Sequence, residues 1–131
     1  MFRALILLAA LTSAPLSAQG LTVRMGETWL FAVEQGQPVR ARKVAANEAP
    51  APNQIKVSLR PMMGTTMSVT NNSRFDYAYR ATLMLSGGKV GEAKSCAVPA
   101  GGRMAMEHWP KAVEAVRLSH FKPAPAGSLC P

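Results

Sequence analysis

Met104-Ala-Met106-Glu-His108 is the sharpest chemical signal in the chain. Side chains two residues apart on an extended strand share a face, so both thioethers and the imidazole would point the same way. Two sulfurs and one nitrogen form a soft donor set suited to Cu(I). Met62, Met63 and Met67 would add thioethers if their strand lies alongside. Met is also an adaptable core filler, and Met104 and Met106 at period two equally describe an ordinary inward strand face. Core packing is the plainer expectation. A copper site requires Met104, Met106 and His108 to converge at solvent.

Positive charge is the second signal. The chain holds 15 Lys and Arg against 7 Asp and Glu, a formal net charge of +8. Arg40, Arg42, Lys56, Arg60 and Arg80 lie on segments with strand periodicity, and neighbouring strands would gather them into one basic face. Such a face suits an anionic surface or an acidic partner, and otherwise simply keeps a protein soluble. Nucleic acid is not the expected partner. The aromatic residues alternate inward instead of interleaving with the basic ones on an outer face.

Catalysis finds little support. There is no G-x-S-x-G turn, no phosphate-binding Gly loop and no nucleotide-binding fingerprint. A hydrolytic triad would have to pair His108 or His120 with Asp76, and nothing local favours that. No enzyme activity and no resident cofactor are expected, copper excepted. A lone His120 near a strand end reads as a polar surface residue.

The N-terminus bears on compartment. Arg3 precedes an apolar run, Ala4–Leu11, then a turn-prone segment and small residues near Ala18. This is the pattern of a secretory signal peptide over residues 1–18, and the run falls well short of the roughly 20 residues that span a bilayer. A periplasmic or extracellular location follows, with no transmembrane segment in the mature chain. In an exported chain two cysteines, Cys96 and Cys130, read as one disulfide. Closing a loop of about 35 residues stabilises by roughly 3.5–4 kcal/mol in the chain-entropy treatment. The bond would tie a Pro-rich tail, residues 122–131, back to a domain spanning residues 19–121.

The elements that must position these residues read as strands. Ile55, Val57 and Leu59 alternate with Lys56, Ser58 and Arg60; Met67 and Val69 alternate with Thr66 and Ser68. Phe75, Tyr77, Tyr79, Ala81, Leu83 and Leu85 extend the period. Further strands are expected at Thr28–Glu34, Pro38–Val44, Glu92–Val98, Arg103–Trp109 and Val113–Phe121. Ala45–Asn53, rich in Ala and Pro, is a long loop inside one domain, since the piece before it is too short for a core of its own. Turn signals at roughly 8–12-residue intervals point to an all-β, Greek-key-like (immunoglobulin-like) β-sandwich of about seven or eight strands.

The expected function is that of an exported, non-catalytic binding or assembly module. Its partner would be another envelope or extracellular protein, or an anionic surface, met through a strand edge or the basic face. The alternative is Cu(I) binding or delivery by Met104, Met106 and His108. A small hydrolase is the third reading.

Overall fold

A computed structural model describes residues 20–125 and Cys130. The expected signal segment therefore lies outside the described residues. Nine strands form two antiparallel sheets packed face to face. In chain order they are β1 (Leu21–Arg24), β2 (Thr28–Glu34), β3 (Gln37–Val44), β4 (Ile55–Arg60), β5 (Thr65–Asn71), β6 (Tyr77–Met84), β7 (Val90–Ala93), β8 (Arg103–Trp109) and β9 (Ala115–Pro123). One sheet runs β1-β9-β6-β7 and the other β3-β2-β4-β5-β8. The first and last strands are antiparallel neighbours, and this order does not establish the expected immunoglobulin-like connectivity.

The period-two segments become strands because each has one apolar face to bury. Val57, Leu59, Met67 and Val69 from the larger sheet meet Val23, Ala81, Leu83, Val116 and Leu118 from the smaller. Phe121 on β9 joins the layers. Its ring lies edge-on to Phe31 of β2 at 5.5 Å and stacked on Tyr79 of β6 at 5.3 Å. Burial, and then the nearby Glu107 charge, push the Tyr79 phenol above its ordinary pKa.

Three expectations are adjusted. Leu21–Arg24 is a strand with no signal in the sequence, because four residues are too few to display a period. Glu92–Val98 is not one strand. β7 stops at Ala93, and only Val98 returns, to bridge Tyr77. Phe75 precedes β6 and is 49% exposed.

Ala45–Asn53 is a strap, not a spacer. The Lys56 ammonium donates to the Ala46 carbonyl at 2.6 Å, and Arg42 pairs with Glu48 at 3.4 Å. Both basic residues face outward, so the loop is drawn over the outer face of β2, β3 and β4. Leu30, on that same outer face, is 1% exposed although it does not belong to the sandwich core.

Cys96 and Cys130 are bonded, with Cα atoms 4.2 Å apart. Pro123 still belongs to β9, and the Ala124 amide donates to the Asp76 carbonyl at 2.7 Å, so the tail leaves the sheet later than its composition suggests.

Candidate functional site

β8 forms one edge of the five-stranded sheet and pairs only with β5 among the described residues. Its register sets Met104 opposite Thr70, Met106 opposite Ser68 and His108 opposite Thr66. These side chains share the outer face. Ala105 and Trp109, on the other face, pack against the core. The expectation that Met104 and Met106 fill the core is thus corrected: they are 57% and 58% exposed, and His108 is exposed as well. An edge strand has a neighbour on one side only, so its inner face is partly covered and tolerates Glu107, whose carboxylate accepts from the Cys96 amide at 2.8 Å. The strand can therefore place Trp109 inward and leave the methionines to solvent.

The other methionines divide. Met67 is fully buried, on the inner face of β5, and cannot join the set. Met62 and Met63 lie in the β4–β5 turn, 57% and 94% exposed. That turn is fastened to the end of β8. The Met63 carbonyl lies 3.0 Å from His108 Nε2. A carbonyl only accepts, so Nε2 must carry the proton, which leaves Nδ1 with the lone pair of the neutral imidazole. Gly64 follows at φ +108°, with its Cα against the Trp109 carbonyl; a Cβ there would collide with it. The arrangement is thus four exposed thioethers and one oriented imidazole at an edge of the sheet.

The five basic residues do not form one free face. Arg42, Lys56 and Arg60 are outward on the larger sheet, with Arg40 on β3. Arg40 pairs with Glu34 at 2.7 Å, Arg42 with Glu48 at 3.4 Å, and Lys56 with the Ala46 carbonyl. Arg60 donates to Thr28 Oγ1 at 3.0 Å and to the Leu59 carbonyl at 3.2 Å. Each therefore already has an acceptor within its own chain. Arg80 is separated from the other four, on β6 in the opposite sheet. It lines a shallow depression of about 240 Å³ with Thr82, Glu92, Arg117, Ser119 and His120. Sequence reasoning missed this group because β9 carries a bulge there, which no local pattern announces.

Neither imidazole meets a carboxylate among the described residues. His108 is engaged by Met63, and His120 Nδ1 lies 2.9 Å from Ser119 Oγ. Asp76, the one candidate triad acid, accepts from the Ala100 amide at 2.7 Å and so serves a loop. Among the described residues no three His, Cys, Asp or Glu side chains cluster for a hard metal, and no helix is long and apolar enough to cross a membrane. No family model, curated protein or solved structure matches the chain.

Proposed function

We propose that this chain is an exported, non-catalytic binding protein whose ligand-bearing surface is the outer face of β8, and that its ligand is Cu(I). The observation that carries the reading is the exposure of Met104 and Met106 beside His108 on one face of an edge strand. Thioethers and an imidazole open to solvent on one strand face are a soft donor set, and such a set prefers a soft monovalent metal. Met106 lies between the other two along the strand, so it is the natural shared ligand. The Met63 carbonyl acts as an outer partner that fixes the tautomer and the ring of His108. The disulfide agrees with residence in an oxidising compartment, the periplasm or the extracellular space.

The test is anaerobic titration with Cu(I) against a chromophoric chelator, read together with native mass spectrometry of the disulfide-intact protein. The expected result is a single retained copper ion. Met104→Leu with Met106→Leu keeps volume and removes both sulfurs; retention should fall by at least on the order of 100-fold, beyond what losing one outer-shell partner costs. No retained copper, or copper held equally by the double variant, overturns the reading.

A second reading rests on a separate observation: the backbone edge of β8 is unpaired by any described strand. An extended segment of an envelope protein would add there as a further strand. A proline at Met104, whose amide lies on the free edge because the odd-numbered residues of β8 are the ones that face β5, would remove one backbone donor. Partner capture unchanged by that substitution would exclude strand addition.

A further inference from the structure

The opposite face of the sandwich holds cations arranged differently from those already described. Between Arg80 and Ala78 the β6–β9 register shifts: Arg80 pairs with Ser119 and Ala78 with Lys122. Tyr79 alone on β6 therefore faces two residues on β9, His120 and Phe121. This is a β-bulge. Phe121 turns into the core and its amide donates to the Gly36 carbonyl at 2.9 Å. His120 turns outward with φ +54°, a left-handed backbone that a residue other than Gly adopts at a cost of about 1–3 kcal/mol. Ser119 Oγ lies 2.9 Å from His120 Nδ1. With the hydroxyl donating to Nδ1, Nε2 carries the proton and becomes an outward donor.

A second depression, of about 180 Å³, adjoins the first over this bulge and is lined by Arg80, His120 and Lys122 with Ala78 and Tyr79. Glu92 borders the first depression, opposite Thr82, and no carboxylate lines the second. The side chains of Arg80 and Lys122 make no hydrogen bond or ion pair with any described residue. Their situation is the reverse of Arg40, Arg42 and Lys56, which are held by their own chain. A guanidinium, an ammonium and an imidazole N–H with no acceptor between them are a donor-only set, and tetrahedral oxyanions accept from several such donors at once.

We propose that the depression over the β6–β9 bulge binds a phosphate-type oxyanion through Arg80, His120 and Lys122. The anion arrives either as a free phosphate or phosphoester, or as the headgroup of an anionic phospholipid.

The experiment follows backbone amide shifts of the folded, disulfide-intact protein during titration with inorganic phosphate, with chloride at matched ionic strength as reference. A parallel arm measures co-sedimentation with phosphatidylcholine vesicles, with and without phosphatidylglycerol. Saturable shifts centred on β6 and β9 with phosphate identify a soluble phosphate or phosphoester ligand. Sedimentation that requires phosphatidylglycerol, without a phosphate response, identifies a lipid headgroup. In either case Arg80→Gln should weaken binding about tenfold, the loss of one charge-assisted contact. His120→Asn should weaken it as well, and it preserves the fold because Asn tolerates the left-handed backbone. No saturable response below about 10 mM phosphate and none to phosphatidylglycerol overturns the proposal, as does binding unchanged in Arg80→Gln. Met104→Leu with Met106→Leu should leave this binding intact, so the copper reading and this one fail separately.

Discussion

On the larger sheet, Arg42 and Lys56 end on acceptors of their own chain, and the Ala45–Asn53 strap is drawn over them. On the smaller sheet, Arg80 and Lys122 end on no described acceptor and border a depression. The first face leaves thioethers and an imidazole exposed at its β5–β8 margin, while its exposed arginines on β3 are paired with Glu34 and Glu48. The second keeps hard cationic donors open. Formal charge alone therefore says little about binding. What matters is whether the fold has already satisfied the charge, and here it has done so on one face and not on the other.

Substitutions that strike both faces or only one would test this division. The largest effect is expected from Phe121→Ala. Phe121 is 4% exposed, joins the sheets and directly follows His120. Its loss should cost about 3–5 kcal/mol in denaturant unfolding and weaken copper and phosphate binding together. If stability falls by that amount while phosphate binding persists, the bulge is held by something other than this ring. Next is Cys96→Ser with Cys130→Ser, expected to cost roughly 3.5–4 kcal/mol by the same measurement. Cys96 sits beside Glu107 of β8, so copper retention should suffer more than phosphate binding. Equal losses would indicate that the disulfide acts only through the unfolded chain.

The smallest effect concerns Glu27. Burial raises its pKa, but hydrogen bonds from the Arg24 amide, the Trp29 indole and the Lys43 ammonium outweigh that and hold the carboxyl below its ordinary value. A depressed carboxylate stabilises the fold above the ordinary carboxylate range. That contribution is lost as pH falls through the folded-state value, because the unfolded chain takes up the proton first. Glu27→Gln should therefore lower stability near neutrality by up to about 1 kcal/mol and flatten its acid dependence, as read from urea midpoints at a series of pH values. Since the Glu27 carboxylate bonds, among the described residues, only to Arg24, Trp29 and Lys43, none of which belongs to either binding surface, neither copper nor phosphate binding should change.

Period-two alternation was enough to determine that this chain is a sheet protein, because alternation along a strand is a direct consequence of backbone pleating. It located Thr28–Glu34 and Arg103–Trp109 to the residue, and it put Met104, Met106 and His108 on a common face. Parity and an export-like N-terminus were enough to pair Cys96 with Cys130. Alternation does not say which face meets the core. Both faces of β8 mix apolar and polar residues: Met104, Met106 and His108 on one, Ala105, Glu107 and Trp109 on the other. Only its place at the edge of the larger sheet sent Trp109 inward and left the thioethers in water. Likewise no local signal separates Arg80 from Lys56, since both are basic residues on alternating strands. The pairing of β6 with β9, which are far apart in sequence, and the bulge within that pairing put Arg80 beside His120 and Lys122. Non-local register is a property of two strands together, and neither strand carries it alone.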